Sequence, residues 1–557
     1  MSEVSADEQL RPGDPEPTGG MPVAPPVKQD WDPTHTSDRV VGHWTTTNLG
    51  EAVPGVITPM ALSHWGWRGN LSAIRATHSI GVVSAGERDA VVDPSQWAVR
   101  AFYGRLATTL EYMAMIGDRM PGVNGEEILD SLFGKAPDGM RFHPTTRRYP
   151  FIAARSTHAA LTIQRRLLAM CHDVDRWWRS RVPEVGTMDL AGALGTFEES
   201  LERYQTAMDT HLVAMFGSFQ PVFDMLSRLI ERAGTGDLAV LSGTGGAEMA
   251  IVSDLWEASR GRLGVADVVR NHGFHGPCEG EVSAMVWRED PTPLNTIIEY
   301  YASMPDGDAP ALKEAAKERR RAEMTRQVLG TLPAARRPAA TLVLKLARER
   351  IPDRGRGKRA FLQSIDITRM AARRAGEHLV AAGVVDDRDD VFYLTEAELK
   401  RAPMGIDKDL IAARRERRAL FETFAFRETT WAGMPDVYKI APAAAEPAGD
   451  HPITGTGASA GVVEGPVRVV EDPAFGDVLP GEVLVAPTTD PSWCSIMFVS
   501  AALVVDLGGM LSHAAVVARE LEIPCVVNAK DATRRLRTGD RVRVDGGAGT
   551  VEILSRA

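Results

Sequence analysis

The sequence is poor in cysteine and has no long hydrophobic run. Its four cysteines, Cys171, Cys278, Cys494 and Cys525, are scattered without a CxxC pair. This spacing argues against a zinc ribbon, and we predict no metal site. No charged-then-apolar leader opens the chain, so we expect no export and a location in the reducing cytosol. No apolar stretch approaches the ~20 residues that span a bilayer, so we predict no membrane segment.

An excess of positive charge is also lacking. The 74 acidic residues outnumber the 63 lysines and arginines, which gives a formal net charge of -11. Nucleic acids and anionic membranes normally bind to a basic face, so we predict neither as a partner. A length of 557 residues with 44% hydrophobic residues exceeds what one core supports, and we expect at least two domains.

Composition divides the chain into four parts. Residues 1–39 are rich in Pro, Gly and acidic residues, which predicts a disordered tail. Residues 40–440 have apolar residues at helical spacing, so we expect a mainly α-helical domain. Residues 441–452 are dominated by Ala, Pro and Gly and predict a linker. Residues 453–557 alternate short β-branched runs with Gly and Pro turns around one helix near 512–521, which predicts a small α/β domain.

A histidine begins that one helix of the C-terminal part. Gly508 and Gly509 follow a predicted buried strand, and Ser512 is a predicted N-cap before His513. Glycines allow close approach of the backbone, and free N–H groups at a helix N-terminus stabilise an anion. We therefore predict a phosphate site at Gly508, Gly509 and Ser512. A neutral imidazole can attack phosphorus, which makes His513 a candidate nucleophile; the alternative is a histidine with no role beyond starting the helix.

Several ordered motifs accompany this histidine. They are GVVEGPV from Gly461, LVAPTTDPSW from Leu484, GGMLSHAAVVAREL from Gly508, Ile523-Pro524 and Val544-Asp545-Gly546. Together they resemble the mobile phosphohistidine domain shared by phosphoenolpyruvate synthase, pyruvate phosphate dikinase and rifampin phosphotransferase. The resemblance implies a swivelling α/β domain that carries a phosphoryl group on His513.

The helical part has thinner motifs of its own. WTTTNLGEAVPGVITP from Trp44, Tyr103-Gly104-Arg105 and DVFYLT from Asp390 are similar to the substrate-binding domain of rifampin phosphotransferase-like proteins. In that family an ATP-grasp domain supplies ATP and Mg²⁺ chemistry, and this chain shows no motif for it. The resemblance implies a chain that binds neither ATP nor Mg²⁺ itself and depends on a separate ATP-grasp subunit, as in phenylphosphate synthase-like systems.

Two basic residues in the helical part stand four positions apart. Arg354 and Lys358 share one face if the segment is helical, and such a pair can hold phosphoryl oxygens as charge develops. The glycines at 355 and 357 weaken the helix prediction, and a solvated basic surface is the alternative. An Arg and a Lys at similar spacing in the family favour a catalytic interpretation.

The segment NHGFHGPCEGE from Asn271 departs from the family. Relatives read Gly-His-Arg-Gly-Pro there, whereas this chain has Phe274 and His275 in place of the His and Arg. His275 or Glu279 is a candidate general base for an acceptor hydroxyl, and either is equally a candidate for a structural polar group. The departure leaves the acceptor undetermined by resemblance.

Two functions remain open on this sequence. One is the acceptor and phosphohistidine-carrier subunit of a dikinase-type, ATP-dependent phosphotransferase acting on a small apolar alcohol or phenol. The other is a non-catalytic ligand-binding or regulatory protein that retains a phosphohistidine-type domain. The intact segment around His513 favours the enzyme.

Overall fold

The fold was obtained as a computed structural model, which describes residues 32–36, 40–47, 49–89, 97–133, 136–234, 246–439, 451–471, 478–489, 493–510 and 512–557. The predicted tail lies mostly outside these residues, as does the predicted linker. Helices dominate up to residue 422. They are α1 Leu49–Ala52, α2 Pro59–Leu62, α3 Gly69–Ser79, α4 Ala85–Asp89, α5 Leu110–Arg119, α6 Gly125–Phe133, α7 Tyr149–Val185, α8 Leu190–Ala214, α9 Gln220–Ala233, α10 Gly246–Ser259, α11 Val265–His272, α12 Thr292–Ser303, α13 Pro310–Thr331, α14 Arg337–Arg350, α15 Asp353–Ala381, α16 Glu396–Arg401 and α17 Lys408–Glu422.

Three long helices, α7, α8 and α15, form the centre of the helical region. Their facing sides bury a continuous apolar cluster that includes Trp178, Phe197, Leu201 and Ile365. The side chain of Asp189 caps α8 by accepting a hydrogen bond from Gly192 N at 2.8 Å. Burial of this stripe stabilises the helices more than their intrinsic propensities do. The central helices therefore provide a fixed frame for side chains at their ends.

Short strands accompany the helices, which the sequence did not predict. They are β1 His43–Thr45, β2 Val99–Phe102, β3 Arg105–Thr109, β4 Phe424–Phe426, β5 Thr430–Ala432 and β6 Val437–Lys439. Strands β2, β3, β1 and β5 make an antiparallel sheet in that order, while β4 pairs with β6. Trp44 pairs with Trp431 across β1 and β5, so the start and end of the helical region are joined.

The C-terminal domain is built on one eight-stranded sheet. Its strands are β7 Ile453–Thr454, β8 Thr456–Ser459, β9 Val462–Val469, β10 Val483–Ala486, β11 Ala502–Val505, β12 Cys525–Val527, β13 Arg541–Asp545 and β14 Thr550–Ser555. Helices α18 Cys494–Met497, α19 His513–Leu521 and α20 Ala532–Arg535 connect them. The sheet order is β7-β14-β13-β9-β10-β11-β12-β8, with β9 to β12 parallel.

The two edges of this sheet meet at one glycine. Only Gly455 separates the edge strands β7 and β8 in sequence, and its N–H donates to Gly549 O at 2.8 Å. A Cβ at this position would lie 2.5 Å from Val527 O, so no larger residue fits. The two edge strands of the sheet are therefore consecutive in the chain and are joined by a single residue.

The predicted fold class is confirmed at this level. The chain is multidomain, with a mainly helical part followed by a small α/β domain. Among the described residues, no helix combines the length and apolar character needed to cross a bilayer. The domain limits 40–440 and 453–557, the swivelling of the second domain and the substrate-binding role of the first stay predictions.

The two parts contact one another through α10 to α12. Trp256 and Tyr301 of the helical part belong to the same buried cluster as Phe498 and Ala515 of the C-terminal domain. The rings of Tyr301 and Phe498 lie 5.6 Å apart, between centroids. This docked arrangement brings the start of α19 against the helical part.

Candidate active site

The loop before α19 has the conformation that the sequence predicted. Ser512 is the N-cap, and its Oγ accepts a hydrogen bond from Ala515 N at 3.2 Å. Gly508 has φ +152°, a region that favours glycine, and a Cβ there would lie 3.1 Å from Ser512 Oγ. A Cβ at Gly509 would lie 3.0 Å from Leu132 O of α6. These glycines therefore let the loop approach both its own helix and the helical part.

His513 is buried at the junction of the two parts, with only 6% of its surface exposed. Its Nδ1 lies 3.0 Å from Thr489 Oγ1, and its Nε2 lies 3.5 Å from Cys494 Sγ. Burial holds the pKa of His513 well below its usual value, and the charges of Lys358, Arg354 and His275 lower it further. The docked imidazole is therefore neutral, the form in which a ring nitrogen can act as a nucleophile.

Arg354 and Lys358 lie in the first turns of α15, so the predicted helical spacing is confirmed. Gly357 lies between them. Helix α8 passes so close that a Cβ on residue 357 would be 2.2 Å from His211 Nδ1, so only glycine fits at this position. Burial lowers the pKa of His211 to about 3, and Arg354 and Lys358 add to the effect. The charges of the same two residues also lower the pKa of His513, so both lie within electrostatic reach of the candidate nucleophile.

His275, Glu279 and Lys358 form a continuous chain of contacts. His275 Nδ1 lies 2.6 Å from Glu279 Oε2, and Lys358 Nζ lies 3.2 Å from Glu279 Oε1. Burial alone would raise the pKa of Glu279, but Lys358 and His275 outweigh it and lower the pKa. Glu279 is therefore a carboxylate that orients the His275 ring.

A buried arginine forms hydrogen bonds with the loop that carries His275 and Glu279. Arg369, with no exposed surface, donates hydrogen bonds to the carbonyls of Glu279, Glu281 and Val282. Trp65 Nε1 donates a hydrogen bond to Gly280 O at 2.9 Å and so also holds this loop in place. Satisfied backbone carbonyls of this kind make the loop a rigid support.

Glu51 is a further buried residue at the junction of the two parts, where it contacts His513. The sequence did not single it out. It lies in α1, is 8% exposed, and its Oε2 accepts a hydrogen bond from His513 N at 3.3 Å. Burial raises the pKa of Glu51 to about 7, against the opposing charges of Arg354 and Lys358 and the backbone N–H groups of His513 and Gly509. The residue belongs to the WTTTNLGEAVPGVITP segment, whose resemblance was the one available signal.

The structure thus brings together all five side chains that the sequence proposed as catalytic, along with the loop at Gly508, Gly509 and Ser512. Thr489, Cys494 and His211 join them without having been predicted. Thr489 and Cys494 lie in or beside the LVAPTTDPSW motif, where the pattern indicated a family but no individual role. The roles of all these residues remain proposals.

Comparison with known proteins matches two stretches of the chain to described domains. Residues 478–549 match the PEP-utilising enzyme mobile domain, and residues 225–354 match the rifampicin phosphotransferase fourth domain. The first stretch contains His513 and Thr489, and the second contains His275, Glu279 and Arg354. The candidate site therefore draws on both matched stretches, while Glu51, His211 and Lys358 lie outside them.

Three curated relatives are representative. A rifampicin phosphotransferase of a Streptomyces species is 38% identical over 36% of this chain and 23% of its own length. An uncharacterised protein of Mycobacterium tuberculosis is 34% identical over 51% of this chain and 30% of its own. The prodigiosin synthesizing transferase PigC of Serratia marcescens is 30% identical over 50% of this chain and 32% of its own.

This chain spans about a third or less of the length of these relatives. The matches nevertheless agree with the motifs around His513 and confirm the resemblance drawn from the sequence. The chain carries the mobile domain of the PEP-utilising enzymes, preceded by a segment like the fourth domain of rifampicin phosphotransferase.

Proposed function

We propose that this chain is the acceptor and phosphohistidine-carrier part of a dikinase-type phosphotransferase that phosphorylates the hydroxyl of an apolar alcohol or phenol. ATP and Mg²⁺ act through an ATP-grasp subunit. The observation that supports this most is the position of His513, whose buried neutral imidazole faces the cations Arg354 and Lys358 of another domain. A histidine serving only as a helix start needs no such surroundings.

In the first half-reaction His513 takes up the phosphoryl group. With Nδ1 protonated, Thr489 Oγ1 accepts its hydrogen bond at 3.0 Å, and Nε2 keeps its lone pair. Nε2 attacks phosphorus, and the N–P bond forms as the bond between phosphorus and the donor breaks. The backbone N–H groups before α19 stabilise the new anion.

In the second half-reaction the acceptor hydroxyl attacks the phosphorus. Its oxygen forms the new O–P bond while the N–P bond breaks and the electron pair returns to Nε2. His275 takes the proton, because Glu279 at 2.6 Å from Nδ1 keeps that nitrogen protonated and leaves Nε2 as the base. Arg354 and Lys358 stabilise the charge that spreads over the phosphoryl oxygens.

The surroundings of His275 favour an apolar acceptor. Its ring lies 4.1 Å from that of Phe274 and 5.9 Å from that of Trp287, between centroids, and both of these rings are buried. An acceptor that binds beside His275 would meet these aromatic rings, which suit a ring or an alkyl chain better than a sugar or an ion. An aromatic alcohol or a phenol therefore matches the site better than a highly polar acceptor.

Phosphoramidate, a small-molecule phosphoryl donor, allows a test that needs no partner subunit. The chain is incubated with it, and the intact mass is measured under alkaline conditions, where phosphohistidine survives. We expect one acid-labile phosphoryl adduct that is absent in His513→Ala and present in His451→Ala, since His451 is an exposed histidine just before the C-terminal domain.

The phosphorylated chain is then mixed with phenol, benzyl alcohol or glycerol. We expect the adduct to disappear fastest with the aromatic acceptors and an aryl or benzyl phosphate to accumulate. An adduct that forms on His513 but is lost only to water would contradict the transferase and favour the binding or regulatory protein. Absence of any His513-dependent adduct would contradict the carrier role itself.

A further inference from the structure

Glu51 is a buried carboxylate with an incomplete set of partners. Its Oε2 accepts the hydrogen bond from His513 N, whereas its Oε1 accepts none from the residues the structure describes. Buried carboxylate oxygens are rarely left in this state, because each forfeits its hydration on burial. Oε1 points beside Gly508, where an added Cβ would lie 3.4 Å from it.

Above its pKa of about 7, Glu51 is an anion at the N-terminus of α19. The N–H groups of His513 and Gly509 face its carboxylate from the C-terminal domain, and Arg354 and Lys358 face it from α15. These are the groups that stabilise a phosphoryl group in the proposed function. A carboxylate and a phosphoryl group are both anions with oxygen acceptors, so one set of donors serves either of them.

We propose that Glu51 occupies, in the unphosphorylated protein, the place of the phosphoryl group, and that the phosphoryl group of phosphohistidine displaces it from the donors at the start of α19. This inference rests on the proposed function and adds a phosphate-binding site whose occupant changes with the state of His513. Two anions cannot share these donors without repulsion. Glu51 therefore makes the contact between the two parts depend on whether His513 carries a phosphoryl group.

The test compares the full chain with Glu51→Gln, which keeps the shape and removes the charge. Glu126→Gln, at an exposed position of α6, is the matched control. The phosphorylation of His513 by phosphoramidate is run at about pH 8, above the pKa of Glu51, and its rate is followed by alkaline intact mass. We expect Glu51→Gln to react about tenfold faster, since removing ~1.4 kcal/mol of repulsion toward an anionic donor changes the rate by that factor. The control is expected to react like the wild type.

Hydrogen exchange of the α19 amides gives a second measurement. Phosphorylation is expected to speed exchange in the wild type, where Glu51 repels the phosphoryl group, and to leave it slow in Glu51→Gln. Equal rates of phosphorylation together with equal exchange in the two proteins would overturn the proposal while leaving the carrier role of His513 intact.

A third arm separates this site from the proposed function. Inorganic phosphate is added at constant ionic strength to the unphosphorylated proteins, and α19 exchange is measured again. Protection by phosphate in Glu51→Gln and not in the wild type supports the site even when no adduct forms on His513. Equal protection in both proteins, or in neither, counts against Glu51 as the occupant of a phosphate site.

Discussion

Lys358 Nζ lies 3.2 Å from Oε1 of Glu279, a carboxylate with 2% of its surface exposed. Lys358 therefore has two roles in the proposed site. It keeps Glu279 ionised, and its charge also acts on His513.

Replacement of Lys358 by Met removes both effects. We expect transfer from phosphorylated His513 to benzyl alcohol to fall by roughly 10²-fold, the loss typical when one stabilising donor of a transition state is removed. The rate is measured on chain that was phosphorylated in advance with phosphoramidate. Lys345→Met, at an exposed position of α14, should transfer at the wild-type rate. Equal rates in the two variants would exclude Lys358 from the transfer step.

Thr489 is expected to set the reactive nitrogen of His513. Thr489→Val removes the hydroxyl 3.0 Å from Nδ1, so the ring loses the contact that fixes its tautomer. We expect phosphorylation by phosphoramidate to slow by about tenfold, equivalent to a hydrogen bond of ~1.4 kcal/mol. Thr489→Ser, which keeps the hydroxyl, should restore most of the rate. A Ser variant as slow as the Val variant would point to packing of the methyl group instead.

Docking of α19 against the helical part should depend on pH through two opposed groups. The docked state lowers the pKa of His513 below 6.5, so its contribution is present above about pH 6.5 and is lost as the pH falls. The docked state raises the pKa of Glu51 from 4.5 to about 7, so its contribution is full below pH 4.5 and is lost as the pH rises to 7. Just below pH 6.5 the two groups therefore change the docking free energy in opposite directions.

A variant that lacks one of the two groups should therefore show a pH dependence of docking that is weaker in the wild type, where the two effects oppose one another. Glu51→Gln is expected to dock more tightly as the pH rises to 6.5, and His513→Gln less tightly as it rises from 4.5 to 7. Each slope is about 1.4 kcal/mol per pH unit at most. Arg354, Lys358 and His275 also face this pair and stay in place in both variants. Hydrogen exchange of α19 between pH 5 and 7 measures the effect, and flat profiles in both variants would refute the linkage.

Arg369 is expected to be the main support of the loop around Glu279. Arg369→Met removes a donor from three backbone carbonyls, of which Glu281 O keeps the N–H of Ala284 at 3.1 Å, and it removes one partner of buried Asp366, 3.3 Å away. We expect the free energy of unfolding in urea to fall by about 3–5 kcal/mol. Arg388→Met, an arginine with a 53% exposed side chain, should change it by less than ~1 kcal/mol. An equally small change in the free energy of unfolding for Arg369→Met would show that the loop keeps its structure without Arg369.

Local patterns predicted the C-terminal domain better than the helical part. The β-branched runs Val483–Ala486 and Cys525–Val527 are strands with the predicted limits, because Gly and Pro mark their ends. The start of α19 was predicted from the N-cap Ser512. Strands β1 and β5 were missed, since each has three residues and owes its stability to a partner almost 400 positions away.

The candidate site also contains some residues that local sequence predicts and others that it does not. Arg354 and Lys358 could be predicted as neighbours because helical spacing alone places them on one face. The contact between Glu51 and His513 joins residues 462 positions apart, and nothing in either local sequence encodes it. The pKa of Glu51 follows from that packing, so the sequence offered only the resemblance of its segment to a family and no sign of its individual role.

The strand pairing of the C-terminal domain has a mechanical consequence. Its first strand β7 pairs with its last strand β14, and every ladder bond described for this sheet is made within the domain. Departure of His513 from the helical part would therefore break side-chain and loop contacts but no strand pairing. The contacts that such a departure would break are those of Glu51 with His513 and of the shared apolar cluster around Tyr301 and Phe498.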